Sequence, residues 1–217
     1  YESGADPDSI EPSNYIIRAE NYGVPQARHR VILLGVSEEY LNALGDHKLS
    51  PAQGPSIDKV IGCLPPLRST LTKVKDSPDV WADTVREHLR ELNQECLLQV
   101  PDTPERLGLA TKLGILASSY DGRDLNSGGL RVLKKSAWNG VTGTHLDGWL
   151  QDPRLKYWLN HEARGHMSSD LRRYVYATAF AETYKDSPKG HHDFNLPGLE
   201  PDHKNWKTGK FSDRFRV

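Results

Sequence analysis

Cysteine is nearly absent from this 217-residue chain: only Cys63 and Cys96 occur, far apart and with no C-x-x-C pair. That usage excludes a disulfide scaffold and fits a reducing, cytoplasmic setting. Net charge is equally scarce, because 28 Lys and Arg face 29 Asp and Glu for a formal charge of -1. A chain so balanced exerts no global attraction on nucleic acid, so any such contact must come from a local basic patch. No apolar run is long enough to span a bilayer. The start, Tyr1 to Gly4, has neither a basic n-region nor an apolar h-region, which excludes a secretory leader there. The first residue is not Met, and a fragment of a longer protein is expected. Hydrophobic residues make up 36% and mean hydropathy is -0.65, so the core should be modest for this length.

What is present divides into segments of different character. Residues 1–13 are polar and turn-rich. Residues 14–18 (NYIIR) read as a short strand, and residues 20–30, with Gly23 and Pro25, as a loop. Val31–Val36 (VILLGV) is an almost continuous apolar run, the signature of a strand buried on both faces. Two strands cannot form a domain alone, so this hairpin is expected to belong to a larger sheet. Its open edge predicts self-association, a homodimer through Val31–Val36. Residues 49–71 hold four prolines and read as a connector, with one short helix over Ser56–Leu64 capped by Ser56.

Two long helices are predicted. Asp76–Val100 carries Trp81, Val85, His88, Leu89, Leu92 and Cys96 on one face at spacings of three and four. Ser168–Lys185 carries Leu171, Tyr174, Val175, Thr178 and Ala179 as its inner stripe, with Asp170 at its positive end. Thr103–His145 holds seven glycines between short apolar stretches and reads as loops and short strands, not helices. Trp149–Leu159 is expected to form a helical turn or two.

The stretch from Asn21 to Val36 reads NYGVPQARHRVILLGV. Its Tyr-Gly-Val-Pro-Gln, two alternate arginines and following apolar strand resemble the eighth sequence motif of the DNA (cytosine-5) methyltransferases, Gln-x-Arg-x-Arg. Taken without its flanks, Q-x-R-x-R would be a turn with two solvated arginines. The segment Ser56–Leu67 (SIDKVIGCLPPL) resembles the short helix and turn that follow that motif in the family. Residues 160–174 and 211–217 resemble the approach to the ninth motif, which is not reached. Chemistry gives the arginines a purpose. Enzymes acting on carbon five of cytosine extrude the base from the duplex, and a guanidinium offers a planar fork of donors to its carbonyl and flanking phosphates. By resemblance, Arg30 holds the flipped cytosine, and Arg28 and Gln26 support the active site.

The resemblance implies an α+β chain in three parts. Residues 1–36 are the last strands of a Rossmann-like catalytic sheet, 37–75 a connector, and 76–217 a target-recognition region with two main helices. It also implies S-adenosylmethionine as methyl donor of the parent enzyme, double-stranded DNA as partner, and a bacterial, restriction-modification type of setting. The family's other machinery is missing from the sequence. Its nucleophile is a Cys preceded by Pro, but Cys63 follows Gly62 and Cys96 follows Glu95. Its Glu-Asn-Val triplet has only Glu20-Asn21, followed by Tyr22, and the Gly-rich donor loop is not found. Without a thiolate to attack carbon six, carbon five cannot become nucleophilic. This chain alone is therefore expected to bind no cofactor and to methylate nothing, the rest of the catalytic domain being its partner.

Two Gly-rich loops are the candidate recognition elements, because glycine permits close backbone approach and their polar side chains can meet base edges and phosphates. The candidates are Arg123, Asn126, Ser127, Arg131, Lys134, Lys135, Asn139, Thr142 and Thr144. Each could equally be ordinary loop surface. No metal site is expected, since His161 and His166 lie five apart and a zinc-binding helix needs four. Two rivals remain at this level: a non-catalytic DNA-binding or interaction subunit of a split methyltransferase, and an unrelated hydrolase using the histidines.

Overall fold

The longest helix follows directly from its start, stripe and stop. In the computed structural model, Ser77 accepts a hydrogen bond from the Val80 N–H, 3.1 Å away, and Pro78 opens the first turn. The structure describes residues 9, 11, 16–26, 35–44, 49–98, 104–135, 140–150 and 152–200. Their elements are α1 (Glu38–Leu44), α2 (Ile57–Ile61), β1 (Thr70–Leu71), α3 (Pro78–Leu98), α4 (Pro104–Ser119), β2 (Gly128–Leu133), β3 (Tyr157–Glu162), β4 (Gly165–His166), α5 (Ser168–Tyr184) and α6 (Gly190–Asp193). This mixture of helix and small sheets is α+β.

The chain separates into two compact units. One comprises Tyr1–Pro65 with Lys134–Lys156, the other Pro66–Leu133 with Tyr157–Val217. This is a division by contact. The segments 1–36, 37–75 and 76–217 expected from the sequence are a division by motif, and the two need not coincide.

In the second unit α3, α4 and α5 pack on one another. α3 buries Trp81, Ala82, Val85, Leu89, Leu92 and Cys96, the face its sequence rhythm predicts. α5 departs from expectation. Leu171 and Ala179 are buried, but Tyr174 and Thr178 are exposed, and Tyr176 and Ala177 take the inner face instead. Two charged residues are buried beside them. Arg172 reaches Glu91 at 2.6 Å and Glu95 at 2.6 Å on α3, and Arg173 donates to the carbonyls of Leu199 at 2.9 Å and Glu200 at 3.2 Å. These pairings offset the cost of burying the guanidinium groups. They also fasten residues 194–200 to the helices, with Phe194, Leu196 and Leu199 buried in the same core.

The main correction is α4. The reading of Thr103–His145 as loops and strands fails over Pro104–Ser119, which is a 16-residue helix burying Leu109, Ala110, Leu113 and Ala117. Three long helices, not two, therefore form this unit. Gly114 lies inside α4 because Asn93 of α3 presses on it. A Cβ there would stand 3.2 Å from the Asn93 amide nitrogen, and Asn93 donates to the Ala110 carbonyl at 2.6 Å. The glycine marks close helix approach, not a turn.

Other expectations divide similarly. α2 is present, with Ser56 as its cap accepting from the Lys59 N–H at 3.4 Å. Among the described residues of Trp149–Leu159 no helix is formed, and the end of the segment belongs to strand β3. Residues 16–18 are not in a strand. The rest of that proposed strand, and residues 31–34 of the apolar run expected to form a dimer, lie outside the described residues.

Candidate nucleic-acid interface

Residues 157–161 read Tyr-Trp-Leu-Asn-His, an alternation that suits a strand but needs a partner. The partner is β2. The two strands run antiparallel, from Gly128 opposite Glu162 to Leu133 opposite Tyr157. Gly128 begins the pairing at a φ of +80°, and a Cβ there would come 2.0 Å from the His161 carbonyl oxygen. Only glycine fits. Gly128→Ala is expected to cost roughly 1–3 kcal/mol and to loosen the ribbon. Urea denaturation measures the first effect, and faster amide exchange over 128–133 the second.

The face carrying Arg131, Leu133, Tyr157 and Leu159 is open, whereas Val132 and Trp158 on the other face are half-buried. Leu130 is 67% exposed, and Leu133, Tyr157 and Leu159 are exposed as well. Arg131 stands exposed opposite Leu159, and no hydrogen bond or ion pair engages it among the described residues. Asn160 is exposed at a left-handed φ of 52°, which Asn tolerates better than most residues. A two-stranded ribbon of this width is an element that the major groove admits.

The loop before the ribbon contains several sequence candidates, and the structure uses most of them internally. The Arg123 guanidinium is held by Asp79 at 3.0 Å, Asp83 at 2.6 Å and Asp121 at 3.2 Å. A phosphate would have to displace these carboxylates. The Asn126 side chain accepts from the Gly128 N–H at 2.8 Å, and its carbonyl accepts from the Arg68 N–H. The Ser127 carbonyl accepts from the Ala163 N–H at 2.9 Å. These residues build the entry to the ribbon.

The remaining candidates lie in the other unit. Lys134 donates to the Asp152 carbonyl at 3.4 Å, and Lys135 and Thr142 are exposed. The Thr144 hydroxyl donates to the Val141 carbonyl at 2.7 Å and so shapes its own turn. Asn139 lies outside the described residues. Nearby, Arg154 holds the Asp152 carboxyl down at about 2 through its guanidinium and backbone hydrogen bonds.

The motif loop belongs to this unit too. Tyr22 bridges to Ala52, and the Asn21 carbonyl accepts from the Ala52 N–H at 2.9 Å. Gly23 takes a φ of +87°, with the His145 ring where its Cβ would be, 2.4 Å from Cε1. The turn before Gln26 is thus packed against the loop bearing Thr142 and Thr144. Gln26 is exposed. Arg28 and Arg30 lie outside the described residues.

Sequence reasoning passed over Tyr157 and Leu159 as exposed residues of a ribbon. Their period-two pattern was the available signal, but their partner strand lies some thirty positions earlier. Comparison with known proteins reaches the motif loop and α3 but not the ribbon. No curated protein and no solved structure matches the chain. The family model described as C-5 cytosine-specific DNA methylase matches residues 11–101, which run from the segment before the motif loop through α3. That match supports a relationship between this chain and the DNA cytosine-5 methyltransferases.

Proposed function

We propose that this chain is the target-recognition part of a DNA (cytosine-5) methyltransferase, with residues 1–36 belonging to its catalytic sheet, 37–75 a connector and 76–217 the recognition region. The family match over residues 11–101 supports the chemistry. The observation that carries the recognition role is the β2–β3 ribbon, whose open face bears Arg131, Leu133, Tyr157 and Leu159, with no hydrogen bond or ion pair on the arginine side chain among the described residues. Double-stranded DNA is the substrate. The ribbon enters its major groove with the face carrying Arg131, whose fork of donors suits a guanine edge. Lys135 and Thr142 take phosphate oxygens. Gln26, Arg28 and Arg30 serve the extruded cytosine, with Arg30 on the base and the other two holding the loop.

S-adenosylmethionine supplies the methyl group in the parent enzyme. The residues assigned here address nucleic acid, and none is given a step on the donor. The Pro-Cys nucleophile and the Glu-Asn-Val acid come from another segment or a partner chain, so transfer requires that remainder.

Binding is the direct test. A fluorescent duplex titrated with the chain should bind at about 50 mM salt and weaken steeply by about 200 mM, because each neutralised phosphate releases counterion. Arg131→Ala should cost about 1–3 kcal/mol if the side chain reads a guanine. Absence of binding at the lower salt, or an unchanged affinity in the variant, would remove the ribbon from the interface.

A further inference from the structure

In the helical unit, a cavity of about 240 Å³ opens between the end of α3, the start of α4, the second half of α5, and α6 with the residues just after it, His192 and Asp193 of α6 among its lining. Its aromatic wall comes from one face of α5. Tyr176, Phe180 and Tyr184 are spaced four apart, with ring centroids 6.0 Å and 4.4 Å from their neighbours. Leu109 of α4 and Cys96 of α3 add apolar surface. Burial pushes the Cys96 thiol up to about 11, so it stays neutral and behaves as part of that surface.

The polar groups are unequally used. The Tyr176 hydroxyl donates to the Asp193 carbonyl, and the Tyr184 hydroxyl to the Glu105 carbonyl at 3.0 Å. The Asp193 carboxylate accepts from the Lys189 N–H. Arg106 differs. It lines the cavity half-buried, and no hydrogen bond or ion pair engages its guanidinium among the described residues. It also sits in the first turn of α4, where the helix dipole already places positive charge and a cation is unfavourable. A half-buried fork of donors, an apolar floor and an aromatic wall together match the composition of small-molecule sites.

We propose that this cavity binds a small aromatic carboxylate, its ring against the Tyr176–Phe180–Tyr184 wall and its acid group paired with Arg106. Planar bidentate pairing is what a guanidinium offers a carboxylate. The volume lies just below the usual range for small-molecule pockets and favours a ligand of one or two fused rings. The site uses none of the residues assigned to nucleic acid and stands independently of the target-recognition reading.

The test is a calorimetric titration of the 217-residue chain with 2-naphthoate, and in parallel with its neutral counterpart 2-naphthalenemethanol. Naphthoate should bind saturably, with a dissociation constant of about 1 mM or tighter for a ligand of this size, and the alcohol at least about tenfold more weakly. Arg106→Gln should weaken naphthoate about tenfold and leave the alcohol unchanged. Asn195→Trp, at an exposed lining position, should fill the mouth and abolish both, while thermal melting shows each variant folded. Equal affinity for acid and alcohol, an unaffected Arg106→Gln, continued binding by Asn195→Trp, or no saturable binding would each overturn the proposal.

Discussion

Arg172→Met is expected to lower the stability of the helical unit by about 3 kcal/mol. The guanidinium is 9% exposed and meets Glu91 at 2.6 Å and both Glu95 oxygens at 2.6 and 2.7 Å. It also donates to the Pro197 carbonyl at 3.2 Å. Removing one partner of a buried pair typically costs 3–5 kcal/mol, because the remaining charge is left uncompensated. The lower figure applies because Glu91 is 48% exposed and can turn to water. Two carboxylates one helical turn apart on α3 would then repel by a few tenths of a kcal/mol more. Urea denaturation measures the loss. Adding Glu91→Gln and Glu95→Gln should recover part of it, which separates the electrostatic share from lost packing. A change under about 0.5 kcal/mol would mean that this clamp contributes little.

Asp76→Asn is the second large effect. Arg68 is 6% exposed and pairs with both Asp76 oxygens at 2.9 Å, while the same carboxylate accepts from the Leu71 N–H at 2.9 Å. One aspartate therefore holds the buried arginine and the strand leading into α3. The amide keeps one acceptor but loses the charge, at a cost of about 3 kcal/mol. The pH dependence has a definite sign. The Arg68 hydrogen bonds hold the Asp76 carboxyl below its ordinary 3.8. A depressed carboxyl contributes stability that is present above the unfolded value and lost as pH falls through the folded one. The variant should therefore be less stable near neutrality. It should also lose part of the acid destabilisation seen in the parent chain below about pH 4. Parallel stability curves across that window would contradict the assignment.

Both effects involve burial that no local pattern announces, and this explains what could be read from the sequence. α3 and α5 were legible because capping residues and three-four rhythm are local. α2 was legible from Ser56. α4 was not, because Gly108 and Gly114 read as loop punctuation when both meet side chains of neighbouring helices: Thr183 at Gly108 and Asn93 at Gly114. Its buried rhythm of Leu109, Leu113 and Ala117 was visible but outweighed. The inner face of α5 was misjudged because Arg172 and Arg173 look solvated until Glu91, Glu95 and the 197–200 carbonyls are brought to them. At the candidate interface, residue type suggested donors but could not reveal which were already engaged. Arg123 is enclosed by three aspartates, two of them about forty positions away. Arg131 has no such neighbours among the described residues.

The central claim is that the β2–β3 ribbon carries the nucleic-acid contact, and amide exchange on the chain with and without duplex DNA at low salt tests it most directly. The account predicts slower exchange over 128–133 and 157–162 on adding duplex, lost again when salt is raised. Protection confined to the helices, with the ribbon unchanged, would contradict it.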